Sequence, residues 1–413
     1  MSHPVVCSTA AGTGGLVREI VRALRSGHWP SLVAAWLHFG VSFMVWLLVG
    51  ALGIMIADDF ELTATQKGLL VMVPFLSGAL LRIPVGIWSD RFGPKPVGLV
   101  LLASELIAVC WGWLGATSFL QMLGVGLCLG VAGASFAVAM PLASRAYPPA
   151  HRGLAMGVAA SANGGVVLVA FFAPRLGEAV GWHGVFGLMA IPILLTLPLF
   201  ALLVRRDIGW PAGEGSLRWR DDTASLLKRP FTYWLCAAYA VTFGGFVGLS
   251  GFLPIFFHDQ YELDAVTAGT LTAVCGLAGS AIRPFGGYAA DRLGAFPMLA
   301  VVFPVITLLM GAMSLLPALH WIAPLTVAAV LAMGFGNGAV FQLVSDRYPK
   351  QVGTASGVVG AAGALGGDLL PAWLGFLKDA TGTYQSGFLV FVAMVCVVWF
   401  STLYLSRRRN RTS

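Results

Sequence analysis

Long apolar runs separated by short polar connections dominate the chain from about residue 31 onward. Each run is close to the roughly 20 apolar residues that a helix needs to cross a bilayer. The runs lack the alternating pattern of the roughly 10-residue strands in membrane barrels. They predict about twelve membrane-spanning helices, at roughly 31–56, 66–89, 97–115, 119–142, 152–174, 184–204, 230–256, 265–289, 295–316, 321–344, 353–377 and 385–406.

A motif that follows the second span recurs after the eighth span, and both copies read GxxxDRxG. Its fixed positions are Gly86, Asp90, Arg91 and Gly93 in the first copy and Gly287, Asp291, Arg292 and Gly294 in the second. An arginine precedes each copy at the same spacing, Arg82 in the first and Arg283 in the second. The repeat predicts an all-α polytopic membrane protein with two pseudo-symmetric six-helix halves and a site between them near mid-membrane. We expect the motif residues to serve the conformational change.

Basic residues are concentrated on one side of the predicted bundle. Most of the 25 Lys and Arg residues lie near the two termini, in the central loop and in the connections on the same side. Such asymmetry predicts that both termini and the central loop are cytoplasmic in a multi-pass inner-membrane protein. The predicted organisation is a cytoplasmic segment with an amphipathic helix at 1–30, a first bundle at 31–204, a central loop at 205–229, a second bundle at 230–406 and a basic tail at 407–413.

Composition supports this class of protein and argues against others. Hydrophobic residues make up 58% of the chain and charged residues only 10%, whereas soluble domains carry about 25% charged residues. The placement of the basic residues accounts for the net charge of +7 without nucleic acid. The six cysteines have no metal-binding spacing, and no nucleophile–base pair or cofactor motif appears. We therefore expect a monomer in the lipid bilayer that is not an enzyme and has no metal or cofactor.

Arg82 and Arg283 are the most informative residues of the sequence. Each stands eight residues before the motif aspartate, which is about 12 Å along a helix and places it near the middle of a core about 30 Å thick. An arginine at that depth is costly unless it meets an anion. Glu105 and Asp368 are the carboxylates that could pair with it inside the spans. The more economical interpretation is a shared anionic substrate, and the planar guanidinium fork suits nitrate, nitrite or a small carboxylate.

Two predicted spans carry dense glycine segments. The fifth span contains Asn163, Gly164 and Gly165, and the eleventh contains Gly363 and Gly366. Glycines at helical spacing leave one helix face bare, so that another backbone or a small ligand can approach closely. A buried Asn163 amide would need hydrogen-bond partners and could donate to an oxyanion.

Together with the paired arginines, these segments resemble the signature segments of the nitrate/nitrite porter family within the major facilitator superfamily. Residues 78–93, 283–287 and 334–342 are similar to the second, eighth and tenth spans of that family, and the resemblance runs from about 31 to 406. It implies a secondary active transporter of nitrate, nitrite or both that works by alternating access. It further implies that Arg82 and Arg283 clamp the anion, that Asn163 donates a hydrogen bond, and that Phe136, Tyr239 and Phe243 wall the site.

Several alternatives remain open at the level of sequence. Asp368, Glu105 and His38 are titratable groups within spans and are candidates for proton coupling. The sequence therefore does not separate proton symport from nitrate/nitrite exchange. A transporter of another small planar anion, such as formate or oxalate, and a membrane anion sensor that does not transport are the alternative functions.

Overall fold

The computed structural model describes residues 26–148, 151–205, 224–348 and 352–410, and these residues fold into helices joined by short connections. The principal α-helices are α1 Trp29–Ala51, α2 Gly53–Asp59, α3 Ala64–Phe92, α4 Pro94–Leu114, α5 Phe119–Gly133, α6 Phe136–Arg145, α7 Arg152–Ala160, α8 Gly165–Leu203, α9 Pro230–Tyr239, α10 Gly245–Tyr261, α11 Ala265–Ala281, α12 Arg283–Leu293, α13 Ala295–Ser314, α14 Leu319–Arg347, α15 Val352–Thr381 and α16 Gln385–Asn410. The second predicted span is α3, the eighth comprises α11 and α12, and the eleventh is α15.

Within the described ranges, 11 helices are long and apolar enough to cross a membrane. The longest of them, Ala155–Leu203, has 49 residues and is bent at Gly181, where φ is 72° and ψ is 158°. Glycine adopts this backbone conformation without a steric penalty, so Gly181 separates the fifth span from the sixth. The all-α polytopic fold with about twelve spans is therefore confirmed.

The last glycine of each GxxxDRxG copy has the same structural role. Gly93 ends α3 with φ of 87°, and Gly294 ends α12 with φ of 84°. A residue with a side chain would be strained at this φ, so the motif requires glycine at the turn into the next helix. Gly86 is half-buried and Arg91 is exposed. The side chains of Asp90, Asp291 and Arg292 lie outside the described part of the structure.

Several spans depart from regular α-helix within the bundle, and the fourth is interrupted between Gly133 and Phe136. The eighth breaks between Ala281 and Arg283, where Pro284 lacks the N–H that a continuous helix would use. A π turn at Ala240–Gly244 joins α9 to α10, and a 3₁₀ turn at Ser161–Gly164 joins α7 to α8. Such interruptions are frequent at functional sites because they redirect side chains and backbone groups.

Glycines allow the two chain halves to approach closely. α3 packs along α15, and a Cβ atom at Gly68 would lie 2.6 Å from the Pro371 carbonyl oxygen and 3.3 Å from Gly375 Cα. α1 packs against α10, where a Cβ at Gly50 would lie 3.0 Å from Gly251 Cα. No larger residue fits these crossings without moving a backbone, so the glycines set the separation of the halves.

Polar contacts between the halves cluster at one end of the bundle. Asp379 of α15 accepts hydrogen bonds from the backbone N–H groups of Ala64, at 3.1 Å, and Thr65, at 2.6 Å, and so caps the first turn of α3. Lys67 forms an ion pair of 2.7 Å with Asp259 of α10. We call the region around Lys67, Asp259 and Asp379 the closed end. At the opposite end, the described contacts include bonds within one half, such as Lys95 Nζ to the Val204 carbonyl oxygen at 2.8 Å.

The predicted domain boundaries at 30, 204, 229 and 406 stay predictions. The predicted amphipathic helix within 1–30, most of the central loop and the end of the basic tail fall at 1–25, 206–223 and 411–413, outside the described residues.

Candidate anion site between the chain halves

Arg82 of α3 is buried, with 7% of its surface exposed, and both halves of the chain hold it in place. Its Nε donates to the carbonyl oxygen of Gly133 at 2.9 Å, and its Nη1 donates to the carbonyl oxygen of Gly360 at 2.9 Å. Gly133 is the last residue of α5, where carbonyls have no partner in their own helix. Because carbonyls are neutral, they fix the direction of the guanidinium and leave its charge uncancelled.

Arg283 is the first residue of α12, immediately after the break in the eighth span. Its Nε and Nη2 atoms are buried and have no hydrogen-bond partner among the described residues. These two nitrogens lie on one edge of the guanidinium plane and form a two-pronged donor that matches two oxygens of a flat anion. Buried donors without partners are uncommon in proteins, so this edge is a candidate ligand contact.

Phe243 connects the two arginines. Its ring centroid lies 5.7 Å from the guanidinium carbon of Arg82 and 5.7 Å from that of Arg283. The two guanidinium groups are therefore separated by no more than twice that distance. Tyr239 stacks on Phe243 with ring centroids 4.9 Å apart and an angle of 3° between the planes. The two rings stand one helical turn apart in sequence, Tyr239 immediately before the π turn and Phe243 within it, so both lie on the same face.

Further aromatic rings complete an apolar wall around the charges. The guanidinium of Arg82 lies 5.3 Å from the ring centroid of Trp46 and 5.6 Å from that of Phe136. Arg283 lies 4.4 Å from the ring centroid of Phe246. Rings at these distances attract a cation through their π electrons but cannot neutralise it. Trp46 and Phe246 were not predicted as site residues.

An internal ion pair does not explain the two arginines. In the part of the chain that the structure describes, the ion pair joins Lys67 of α3 to Asp259 of α10. This pair belongs to the closed end and does not involve Arg82 or Arg283. Asp368 interacts electrostatically with Arg82 but forms no ion pair with it in the described structure. The positive charge of the arginine pair is therefore not cancelled by these contacts, and the interpretation that depends on a bound anion is favoured.

The glycines of the eleventh span make room for the aromatic wall. A Cβ at Gly363 would overlap Cδ1 of Tyr239 and lie 2.6 Å from its Cε1. A Cβ at Gly366 would lie 2.5 Å from the Cβ of Ala240 in the π turn. Both glycines thus let α15 pack directly against the turn that carries the rings, rather than presenting a bare surface to solvent.

The glycines of the fifth span lie in a different environment. Asn163, in the 3₁₀ turn, is 4% exposed, and its Oδ1 has no hydrogen-bond partner among the described residues. A Cβ at Gly165 would lie 2.7 Å from the Gly40 carbonyl oxygen of α1, whereas a Cβ at Gly164 would have no atom within 4 Å. Gly165 therefore serves the packing of α8 on α1. None of the contacts described for the two arginines involves Asn163, and its predicted role stays a prediction.

The three titratable candidates occupy two separate places. Asp368 is 1% exposed and lies on α15 near Arg82. Glu105 accepts a hydrogen bond of 2.7 Å from Ser42, and His38 Nε2 lies 3.1 Å from the Gly98 carbonyl oxygen. Glu105 and His38 thus form part of the packing between α1 and α4, within the first half of the chain. The structure brings Asp368, but neither of the others, to the arginine pair.

Comparison with known proteins agrees with this architecture. The profile of the Major Facilitator Superfamily matches residues 34–371. A bacterial homolog of the human lysosomal transporter Spinster, solved in an inward-facing and unoccupied conformation, superposes with a TM-score of 0.71 at 20% identity, covering 91% of this chain and 96% of that chain. Fold, spans and family profile define a multi-pass membrane transporter of the major facilitator superfamily, which is not an enzyme.

Curated relatives identify the family more narrowly. The probable nitrate/nitrite transporter NarK2 of Mycobacterium tuberculosis H37Rv is 35% identical over 375 residues, 89% of this chain and 93% of the relative. The nitrite extrusion protein of Bacillus subtilis is 31% identical over 381 residues, 90% of this chain and 95% of the relative. The probable nitrate/nitrite antiporter NarK1 of Thermus thermophilus is 29% identical, with 88% of both chains covered. The chain belongs to the nitrate/nitrite porter family.

Proposed function

We propose that this protein transports nitrate, nitrite or both across the inner membrane by alternating access, with the anion held between Arg82 and Arg283. The observation that carries the proposal is the edge of Arg283 without hydrogen-bond partners among the described residues, on a guanidinium that lies as close to the Phe243 ring as that of Arg82. A guanidinium at this depth needs an anionic partner, and a substrate can supply it. The relatives named nitrate/nitrite transporter and nitrite extrusion protein support the choice of anion.

The shape of the site favours a small flat anion. The stacked rings of Tyr239 and Phe243, and the rings of Phe136 and Trp46 near Arg82, surround the arginines with planar apolar surfaces, which favour a flat ligand. The two donors at the edge of Arg283 lie in one plane and match the oxygens of nitrate or nitrite. Formate also fits this description, so we treat it as the competing substrate. Oxalate, with a second carboxylate, would need a larger space.

The contacts between the halves support a moving carrier over a static sensor. The closed end is held by a few polar contacts and by glycine crossings, which can separate as a unit. Arg82 donates to Gly360 across the halves, so the site lies where opening would change its environment. The placement of basic residues supports cytoplasmic termini, which puts the closed end on the outer side of the membrane.

Gly375→Leu should shift the carrier away from the closed arrangement and slow transport. Even a Cβ at this position would overlap the Ala64 carbonyl oxygen of α3. Overpacking costs about 1–3 kcal/mol, which corresponds to a roughly 5- to 150-fold smaller closed population. A cysteine placed at Thr270, whose hydroxyl bonds Arg175 across the halves at 2.8 Å, reports opening through its labelling by a membrane-impermeant maleimide.

The matched control is Gly311→Leu, because a Cβ at Gly311 would have no atom within 4 Å. We expect faster labelling of the Thr270→Cys reporter and slower nitrate flux in Gly375→Leu, and no change in the control. Protein without the reporter cysteine gives the labelling background. Unchanged labelling together with normal flux in Gly375→Leu would count against the closed end as a gate.

The proposed function is tested by flux into proteoliposomes that contain the purified protein. Two driving conditions are compared, an inward pH gradient and a load of internal nitrite, and protein-free vesicles give the leak. We expect saturable nitrate entry under at least one condition, with nitrite competing and formate competing weakly. Formate entry that exceeds nitrate entry would replace the substrate. The absence of nitrate and nitrite flux under both conditions, with nitrate still bound by the purified protein, would favour the sensor.

A further inference from the structure

Asp368 is a buried carboxyl group that no described contact satisfies. Only 1% of its surface is exposed, and neither Oδ1 nor Oδ2 has a hydrogen-bond partner among the described residues. It stands on α15 eight residues after Gly360, whose carbonyl oxygen accepts from Arg82. An ionised carboxylate in an apolar interior is very costly without a partner, so Asp368 must either bind a proton or pair with a cation.

Arg82 is the cation that interacts electrostatically with Asp368. α15 packs against α3, α9, the π turn, α10, α14 and α16. From these helices, Arg82 interacts electrostatically with Asp368, and Tyr239, which interacts with both arginines, faces α15 at Gly363. The other charged or titratable groups on these helices stand at other positions along them. They are Lys67, Asp90 and Arg91 on α3, Tyr233 and Cys236 on α9, His258, Asp259 and Tyr261 on α10, His320, Asp346 and Arg347 on α14, Lys378 and Asp379 on α15, and Cys396, Tyr404 and the terminal arginines on α16.

Charge balance connects Asp368 to the anion. The empty site holds two guanidinium charges, and a single bound nitrate neutralises one of them. An ionised Asp368 that moves onto Arg82 would also neutralise one. If Asp368 takes up a proton when nitrate binds and is ionised when the site is empty, the site keeps the same net charge in both states.

We propose that Asp368 is the proton-coupling residue of this transporter, and that the protein is a proton–nitrate symporter. The inference rests on the proposed nitrate transport. When nitrate binds the arginines, the carboxylate of Asp368 loses its cation and takes one proton from the outer solution. After nitrate leaves on the cytoplasmic side, Asp368 releases that proton and pairs with Arg82. The site of the empty carrier, with Asp368 ionised, then has the same net charge as the site of the loaded carrier, with Asp368 protonated and nitrate bound.

This cycle moves one proton with each nitrate, so the loaded and empty steps together transfer no net charge. Uptake should therefore respond to a pH gradient and be nearly insensitive to a membrane potential imposed alone. Glu105 and His38 do not fit the same role. Ser42 satisfies one oxygen of Glu105, His38 bonds the Gly98 carbonyl, and both lie between α1 and α4 without a described contact to either arginine.

Asp368→Asn tests the proposal because it keeps the size of the side chain and removes its charge and proton. In proteoliposomes, we expect the variant to lose nitrate accumulation driven by the pH gradient, down to the level without a gradient. Exchange of external nitrate for internal nitrite, which needs no empty return step, should remain measurable. Glu105→Gln, the matched control, should keep pH-driven accumulation within about twofold of the unsubstituted protein.

A binding measurement in detergent covers the case in which the variant transports nothing. Calorimetric titration of nitrate in buffers of different ionisation heats should give an uptake of about one proton per nitrate for the unsubstituted protein and none for Asp368→Asn. Persistent pH-driven accumulation in Asp368→Asn, or equal proton uptake by both proteins, would overturn the role of Asp368. Exchange without any pH-driven accumulation in the unsubstituted protein would overturn symport while leaving nitrate transport intact. Absence of both kinds of flux and of nitrate binding would instead remove the proposed function.

Discussion

Arg283→Lys should weaken nitrate binding roughly 10- to 100-fold, because the substitution replaces a planar two-pronged donor with a single ammonium group. Arg283 has two buried nitrogens on one edge without partners, and we expect both to donate to the anion. Hydrogen bonds to charged groups contribute about 1.5–3 kcal/mol, and 1.4 kcal/mol corresponds to a tenfold change in affinity. Nitrate affinity measured by calorimetry on the purified variant gives the comparison, and transport at saturating nitrate gives a second readout.

Arg229→Lys is the matched control for this substitution. Arg229 also lies over an aromatic ring, at 5.6 Å from the centroid of Tyr348, but it precedes α9 and is exposed. We expect it to bind nitrate as the unsubstituted protein does. Thermal unfolding of both variants separates lost binding from lost folding. If Arg283→Lys keeps its fold and binds nitrate within threefold of the unsubstituted protein, Arg283 is not a direct ligand.

Gly363→Ala should reduce nitrate affinity roughly tenfold by displacing the Tyr239 ring. The added Cβ would overlap this ring, so either the ring or α15 must move. Overpacking of this kind costs about 1–3 kcal/mol. Because Tyr239 stacks on Phe243 between the two arginines, the displacement changes the wall of the site itself. Nitrate titration and thermal unfolding are measured on the same preparation.

Gly357→Ala is the control, since Gly357 lies on the same helix and a Cβ there would have no atom within 4 Å. A double-mutant cycle with Tyr239→Ala then shows whether Gly363→Ala acts through the Tyr239 ring. In a Tyr239→Ala background, Gly363→Ala should have little further effect on affinity, because the ring it displaces is gone. Additive effects of the two substitutions would show that Gly363 acts through general helix packing and not through the wall.

Much of the fold could be predicted because its causes are local. Length and apolarity of the runs identify the spans, and the repeat of GxxxDRxG identifies the two halves. The glycines at 93 and 294 mark real helix ends, since both have positive φ. The single bend at Gly181 explains why eleven long helices contain about twelve spans.

The arginine pair could also be predicted, because an intramembrane charge is rare and its cost is large. Only part of what surrounds the pair could be predicted. Arg82 is held by two backbone carbonyls, and a carbonyl has no signature in the sequence. Trp46 approaches from α1, which shares no motif with the arginines. Arg283 begins the helix after the break, and the absence of partners for its Nε and Nη2 atoms among the described residues depends on packing that the sequence does not show.

Counterflow of isotopically labelled nitrate is the most direct test of transport through an arginine clamp, because it requires carrier movement but no assumption about coupling. Proteoliposomes are loaded with unlabelled nitrate and diluted into a trace of labelled nitrate at one pH. The unsubstituted protein should accumulate label transiently above its equilibrium level, and the double variant Arg82→Lys with Arg283→Lys should not. Transient accumulation of equal height and rate in that folded double variant would contradict the clamp, and its absence in the unsubstituted protein would contradict nitrate transport.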